Sequence, residues 1–182
     1  WRDLRPRVGG PRRQDDVVIR GRTGTDDDAI RRVNDAAFGG TAESKLVEDL
    51  RAAGLAAVEL VAIDECVVIG HILFSELTVM LDEDVVPALS LAPLSVRPGR
   101  QKSGIGSALV RAGLDLAKNG GWHAVIVFGH PDYYPRFGFS ASCARHLEAP
   151  FSGDAFMALE LVAGALAGDG RQVRYPPPFG IA

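Results

Sequence analysis

The fold is decided by the stretch Val96-Arg97-Pro98-Gly99-Arg100-Gln101-Lys102-Ser103-Gly104-Ile105-Gly106-Ser107, which carries a strand through a basic, glycine-bearing loop into a helix. The start of a helix has unpaired N–H groups and a partial positive charge, and it therefore binds phosphate. Gly104 and Gly106 let the backbone approach an anion closely. Charge or side-chain hydrogen bonds can come from Arg100, Gln101, Lys102 and Ser107. We therefore predict an anion-binding loop here.

Two common phosphate loops do not fit this stretch. A Walker loop needs Gly-Lys-Ser or Gly-Lys-Thr, whereas Gln101 precedes Lys102. A dinucleotide fingerprint needs a further Gly or Ala three residues after Gly106, and Leu109 stands there. A glycine loop that merely starts a helix is the alternative. The joint occurrence of strand, basic loop, Gly-x-Gly and amphipathic helix favours anion binding over it.

The hydrophobic pattern on either side predicts a mixed α/β domain with an internal β-hairpin. The predicted elements are a strand at 17–20, helices at 25–38 and 42–53, strands at 59–63, 66–79 and 85–96, a helix at 104–119, a strand at 124–128, a short helix at 131–137 and a strand at 155–162. We expect Thr25 to cap the first helix and Pro131 to open the short one.

Two of these elements carry a finer prediction. Pro93 cannot donate to a hydrogen-bond ladder, so it predicts a bulge or a break in pairing within 85–96. The helix at 104–119 has one apolar face, which should point to the core. That face is predicted to consist of Ile105, Ala108, Leu109, Ala112 and Leu116.

Composition bounds the class of protein. The chain has 182 residues, of which 47% are hydrophobic and 24% charged, and its net charge is −3. These values exclude a disordered chain and a collagen, and they argue against a nucleic-acid partner. The two cysteines match no zinc spacing, no apolar run could span a membrane, and no secretory signal is visible, so we expect a cytoplasmic protein. Residues 1–16 are interpreted as a flexible arm or a remnant of cloning, and 17–182 as one domain.

Two motifs together resemble a known family. The pattern Gln101-x-x-Gly104-x-Gly106 after Val96-x-Pro98 resembles the acetyl-CoA pyrophosphate loop of GNAT-superfamily N-acetyltransferases. The stretch 133–139, YYPRFGF, resembles the Tyr-x-x-x-Gly-Phe turn of the same superfamily. Segments 70–75, 91–96, 129–134 and 155–161 are similar to its bacterial YhbS-like branch. The resemblance covers about residues 17–180.

The resemblance implies a fold and a co-substrate. The fold is a central, mostly antiparallel sheet that splays between its middle strands, with helices on both faces. Acetyl-CoA would lie in the splay, and no metal is implied. The cofactor-binding residues that the resemblance implies are Leu94, Ser95 and Val96 along the pantetheine arm, Gln101, Lys102, Ser103, Gly104, Ile105, Gly106 and Ser107 around the pyrophosphate, and Tyr133 and Arg136 beside it.

The resemblance also implies catalytic roles. Tyr134, four residues before Gly138, would protonate the leaving thiolate, with a packing role as the alternative. Members of the family often carry a Glu on the central strand, but residues 85–96 contain no acid. We predict Glu76 on the neighbouring strand as the base. Glu59, His71, a water relay and an already neutral acceptor stay open, and each of these side chains can equally be structural.

The predicted activity is transfer of acetyl from acetyl-CoA to a primary amine. The alternatives are a catalytically silent acyl-CoA-binding or regulatory module, and a nucleic-acid-associated protein acting through its Arg-rich arm. A Cys143–His146 nucleophile is a weaker idea, since no third residue orients the pair. The acceptor, a small-molecule or peptide amine, carries no readable motif. Edge strands leave a homodimer open.

Overall fold

One β-sheet organises residues 16–181, the part of the chain that the computed structural model describes. The predicted arm falls almost entirely outside these residues. Within them, the sheet has seven strands in the order β1-β2-β3-β4-β5-β6, and β7 pairs with β3. The strands are β1 Val18–Gly21, β2 Ala56–Asp64, β3 Val67–Leu81, β4 Asp84–Val96, β5 Ala124–Phe128, β6 Phe156–Glu160 and β7 Gln172–Arg174. The helices are α1 Asp27–Phe38, α2 Ala42–Ala52, α3 Ile105–Asn119 and α4 Ala141–Ala144.

The two faces of the sheet carry different helices, because side chains alternate along each strand. On β3, Ile72 and Phe74 face α3, whereas Leu73 and Leu77 face the opposite side. The core beneath α3 includes Ile72, Phe74, Leu89, Leu91, Ile105 and Leu109. The other face is covered by α1 and α2, through Ile30, Val33, Val47 and Leu50, and by the C-terminal part, through Leu147, Leu166 and Val173.

The central strands β4 and β5 separate along their length. They form the parallel pair of a sheet whose other pairs are antiparallel, and their pairing joins only residues 88–90 to 124–126. β4 continues to Val96 while still paired with β3. Its far half therefore has no neighbour on the β5 side. The prediction of a mostly antiparallel sheet splayed between its middle strands, with helices on both faces, is confirmed.

A β-bulge lies where the strands separate. In the β3–β4 ladder, Phe74 pairs with Leu91 and Ile72 pairs with Leu94, so that one residue of β3 opposes Ala92 and Pro93. A bulge bends its strand and increases the local twist. The break in pairing that Pro93 predicts is therefore confirmed, and it turns β4 away from β5.

The start of the first helix differs from the prediction. A short 3-10 turn, Gly24–Asp26, precedes α1, and Thr23 rather than Thr25 begins it. The Asp26 carboxylate accepts a hydrogen bond from the Thr23 backbone N–H at 2.7 Å and a bidentate pair from Arg20. Asp26 belongs to this turn, so Thr25 does not cap the helix. The short helix also differs, because its 3-10 turn begins at Tyr134 and Pro131 lies in the preceding loop.

The buried face of α3 is rotated from the predicted one. Leu116 is 47% exposed, whereas Gly113 and Ala117 are buried. The reason is Phe74, whose ring lies against Gly113 and leaves no room for a side chain there. A glycine on the core face interrupts the apolar pattern, which is why the sequence suggested the neighbouring stripe. Neither α4 nor β7 was predicted, because each is only three or four residues long.

Replacing Gly113 with Val should lower the free energy of unfolding by about 2 kcal/mol, as overpacking a core does. A Cβ atom at Gly113 would lie 2.2 Å from Cε2 of the fully buried Phe74. Urea unfolding measures the change. Leu116→Val is the matched control, because it places the same β-branched residue on the exposed side of α3 and should cost about 0.5 kcal/mol. Equal losses in the two variants would contradict the packing argument.

Candidate active site

A cavity of about 1150 Å³ lies where β4 and β5 separate. β4 contributes residues 90–96 to its wall, and Phe128, Gly129 and His130 contribute from the end of β5. At one end the wall is formed by the loop before α3 and by Tyr133 and Arg136. At the other end it is formed by the end of α1, the start of α2, Phe151 and residues of the C-terminal segment. The cavity therefore passes from the α3 face of the sheet to the opposite face.

The loop before α3 has the backbone of an anion cradle. Gly99, Lys102 and Gly104 all have positive φ, and Gly104 caps the helix at φ 85°. Alternating left- and right-handed residues direct successive N–H groups to one side, where an anion can be bound. Gly106 is needed for close packing, because a Cβ there would lie 3.0 Å from the Tyr133 hydroxyl oxygen. This backbone geometry is compatible with the anion-binding loop that the sequence predicts, which stays a prediction.

Positive charge at this end comes from Lys102 and Arg136, which both line the cavity. The Arg136 guanidinium lies over the Tyr133 ring, 4.5 Å from its centre, and the Tyr133 hydroxyl lies 3.3 Å from Ser107 Oγ. Arg100 does not add charge to the cavity, because it forms an ion pair with the buried carboxylate of Asp64.

Most of the predicted cofactor-binding residues do line this cavity, and Ser103 and Ile105 do not. Ile105 is buried in the core beneath α3, and Ser103 Oγ donates to the Arg100 carbonyl. Their side chains therefore do not contribute to the cradle. Gln101 Nε2 donates to the Val96 carbonyl at 3.0 Å, so its side chain ties the loop to the end of β4.

Two buried residues that carry hydroxyl groups, Tyr134 and Ser95, line the middle of the cavity. Tyr134 is 8% exposed and packs so tightly on Gly129 that a Cβ there would lie 2.6 Å from its ring. Burial, with a smaller effect of Tyr133, raises the pKa of the Tyr134 phenol above its usual range, so it is protonated at neutral pH. Ser95 also lines the cavity, but its hydroxyl oxygen is buried and has no hydrogen-bond partner within residues 16–181. A buried hydroxyl without a partner is costly.

The part of the chain that supplies most of the cavity wall matches a known family. Residues 28–139 match the Acetyltransferase (GNAT) family. This chain belongs to the GNAT acetyltransferases. The predicted family and the prediction that the chain is an acetyl-CoA-dependent acyltransferase are confirmed.

Particular GNAT relatives resemble the chain over most of its length. The N-acetyltransferase YhbS of Escherichia coli strain K12 is 36% identical over 145 residues, which are 78% of this chain and 86% of YhbS. YjhQ of the same strain is 40% identical over 112 residues, which are 60% of this chain and 62% of YjhQ. The crystal structure of E. coli YhbS in complex with CoA superposes with a TM-score of 0.82 at 32% identity, covering 90% and 92% of the two chains. A GNAT acetyltransferase from Brucella melitensis in complex with acetyl-CoA gives 0.75 at 32% identity, covering 90% and 97%.

The predicted base, Glu76, is not brought to this GNAT cavity. Glu76 is exposed and is not part of the cavity wall. It pairs with Leu89, and directly paired residues point to the same face of a sheet, which here is the α3 face. The Glu76 carboxylate is therefore exposed to solvent on the α3 face of the sheet, outside the cavity. The geometry does not favour Glu76 as the base.

The other two candidate bases, Glu59 and His71, bond to each other away from the cavity. His71 is fully buried, and burial lowers its pKa. Its Nε2 lies 2.8 Å from a Glu59 oxygen and its Nδ1 lies 3.2 Å from Asn34 Nδ2, which also donates to the Ile30 carbonyl. A neutral ring that donates from Nε2 and accepts at Nδ1 satisfies all of these contacts. Burial alone would raise the pKa of Glu59, but hydrogen bonds with His71 and Arg51 lower it to about 2.

The Cys143–His146 pair is not arranged as a nucleophile. Burial raises the pKa of the Cys143 thiol, which disfavours the reactive thiolate. His146 Nε2 lies 2.6 Å from the Leu166 carbonyl, so this nitrogen carries a proton and donates it to the backbone.

Within the described residues, no cluster of three His, Cys, Asp or Glu side chains could hold a metal ion. No helix in residues 16–181 is long and apolar enough to cross a membrane.

Sequence reasoning missed the residues at the far end of the cavity. They are Phe38, Glu43, Leu46, Phe151, Tyr175, Phe179 and Ile181. They come from four separated parts of the chain, and none belongs to a spaced motif. Only the folded sheet brings them together.

Stability should fall as the pH drops below about 6.5, the ordinary histidine pKa. His71 binds a proton more weakly when folded than when unfolded, so its contribution is complete above that pH and is lost on acidification. The slope from this residue is at most about 1.4 kcal/mol per pH unit. Urea unfolding at several pH values between about 5.5 and about 7.5 measures this slope. His71→Gln should flatten the slope, and His130→Gln, at an exposed position, should not. An unchanged slope in His71→Gln would rule out this source.

Proposed function

We propose that the chain transfers the acetyl group of acetyl-CoA to a primary amine by direct attack. The observation that carries the proposal is that one cavity joins an anion cradle, an unpaired edge of β4 and a protonated, buried tyrosine. These are the three environments that a pyrophosphate, an extended amide-bearing arm and a leaving thiolate require. The GNAT membership of the chain supports the same assignment.

In this proposal, acetyl-CoA lies along the cavity with its pyrophosphate in the loop before α3. The loop N–H groups and the helix start bind the phosphates, and Lys102 and Arg136 supply positive charge. The backbone of Leu94, Ser95 and Val96, on the open edge of β4, binds the pantetheine arm. The CoA and acetyl-CoA complexes of the two relatives support this placement.

The proposed reaction forms a carbon–nitrogen bond, breaks a carbon–sulfur bond and moves a proton from nitrogen to sulfur overall. The neutral amine attacks the thioester carbonyl carbon, and a tetrahedral intermediate forms whose oxygen is stabilised by β4 N–H groups. The carbon–sulfur bond then breaks and CoA leaves as a thiolate. The amine nitrogen loses a proton to a base or to water, and the thiolate gains one. The products are the acetylated amine and CoA.

Tyr134 is proposed to protonate the leaving thiolate. The phenol lines the cavity and keeps its proton at neutral pH, because burial disfavours the phenolate. The same burial disfavours a free thiolate, so proton transfer between the two groups is less costly than it would be in water.

The alternative to acetyl transfer is a silent acyl-CoA-binding module, which the absence of an acid in residues 85–96 suggested. It predicts acetyl-CoA binding without transfer.

Acetyl-CoA should bind the wild-type protein, and Gly106→Asp should weaken that binding at least about tenfold, because a carboxylate would face the pyrophosphate and crowd Tyr133. Isothermal titration calorimetry with acetyl-CoA and CoA measures both. Asn119→Asp adds the same charge at the other end of α3, outside the cavity, and should bind like the wild type. Circular dichroism checks that each variant is folded. A folded wild type that binds neither ligand would overturn the proposal.

Tyr134→Phe should lower kcat by about a hundredfold, as expected when a general acid is removed. Its affinity for acetyl-CoA should stay within about twofold of the wild type, because the phenol is proposed to act on the leaving group only. The measurement is CoA release with a panel of primary amines, together with calorimetry. Tyr133→Phe is the control, since it loses only the contact with Ser107 and should keep most of kcat. A Tyr134→Phe variant with wild-type kcat would remove this residue from the mechanism.

A further inference from the structure

The two ends of the cavity have opposite chemical character. The end at the α3 loop has Lys102 and Arg136 in its wall, whereas the end on the α1 face has Glu43 and a set of apolar and aromatic side chains. Glu43 is the one carboxylate in the cavity wall within the described residues. The charge of the cavity therefore changes sign from the phosphate end to the far end.

Glu43 is a half-buried carboxylate without a counter-charge. It lies in the first turn of α2 and has no ion pair or hydrogen bond from its side chain within residues 16–181. Its acidic neighbours on the same helix are paired, Glu48 with Arg31 and Asp49 with Lys45. A carboxylate that is partly removed from water is stabilised by a cation, and none of the described residues supplies one. The missing cation can come from a bound molecule.

The walls around this end form a continuous aromatic surface. Phe128 stacks on Phe151 with ring centres 4.5 Å apart, Phe151 contacts Tyr175 at 5.4 Å, and Tyr175 contacts Phe179 at 5.1 Å. Phe38 and Phe128 are 46% and 53% exposed, and they are the two large aromatic side chains that the described chain leaves exposed. Both line the cavity. Exposed aromatic rings concentrated in one concave place indicate a binding site for an apolar group.

We infer that the acceptor is a small primary amine carried on an apolar, preferably aromatic, body, and that Glu43 selects its positive charge. This inference rests on the proposed acetyl transfer. The ammonium form of the amine is drawn to Glu43, and the aromatic surface holds the body through apolar contact and cation–π attraction. Acceptors that carry a carboxylate are rejected, because like charges would meet inside a partly dry cavity.

A small amine fits better than a polar or acidic side chain of a protein substrate. The far wall combines residues of α1, α2 and the C-terminal segment, so a compact amine body can contact several of them at once. The same pocket offers no cation within the described residues that could bind an acidic peptide. The test therefore includes a peptide, so that transfer to a peptide acceptor would be detected.

The test compares five acceptors in a CoA-release assay with the full chain. Four are phenethylamine, ethanolamine, phenylalanine and phenylacetic hydrazide, whose nucleophilic nitrogen is uncharged at neutral pH, and the fifth is a tetrapeptide. We expect kcat/KM for phenethylamine to exceed that for ethanolamine and phenylalanine at least about tenfold, since desolvated apolar contacts and a paired charge each contribute on this scale. The tetrapeptide, with an N-terminal phenylalanine and an amidated C-terminus, should be the poorer substrate.

Variants separate charge recognition from structural damage. Glu43→Gln should raise KM for phenethylamine about tenfold, the scale of one charge-assisted hydrogen bond, and leave KM for the hydrazide unchanged. Phe179→Ala should raise KM for phenethylamine but not for ethanolamine. Glu48→Gln, on the same helix but outside the cavity, is the control and should behave like the wild type. If Glu43→Gln raised KM equally for phenethylamine and for the hydrazide, the proposed role of Glu43 would be overturned.

The outcomes also separate this inference from the proposed function. Efficient transfer to ethanolamine, phenylalanine or the tetrapeptide, with no preference for phenethylamine, would overturn the acceptor class and leave acetyl transfer standing. Retained acetyl-CoA binding with no transfer to any amine would instead overturn the proposed activity.

Discussion

The rest of the structure depends on a single hydrogen-bonding constraint, the end of β4–β5 pairing at Ser90 and Ile126. Backbone N–H and C=O groups that leave a ladder need other partners, since a buried polar group without one costs free energy. β4 stays bound to β3 along its whole length, so only its other edge is open. The bulge at Ala92 and Pro93 maintains this separation. The cavity is the space that results, and its wall already carries the donors and acceptors of a strand.

The burial of ionisable groups divides them into those that hold the fold and those that face the cavity. His71, Glu59 and Arg51 join α2, β2 and β3 through short contacts and have no access to the cavity. Tyr134 is equally buried but lines the cavity, so its proton can reach a bound molecule. Ionisable residue types alone do not distinguish these two groups. Their position relative to the gap between β4 and β5 does.

The parts that the sequence predicted are those governed by local chemistry. The loop before α3 needs glycines and basic residues next to one another, and Pro93 disturbs pairing wherever it stands in a strand. The far wall of the cavity could not be predicted, because Glu43, Phe151 and Phe179 meet only after α2 and the C-terminal segment pack on the same face. The rotation of α3 was hidden for a related reason. Gly113 faces the core because the ring of Phe74, from a distant strand, fills the space where its side chain would be.

The passage of the cavity from one face of the sheet to the other also bears on the order of events. In the proposed acetyl transfer, the loop before α3 at one end and the aromatic surface at the other would give each substrate an entrance of its own. Neither would block the other, so both would be bound at once, and no acetylated form of the protein would be needed between them. The kinetics of such an arrangement are sequential rather than ping-pong. The short pairing between β4 and β5 thus sets the geometry of the cavity, and in the proposed direct transfer it would also set the number of chemical steps.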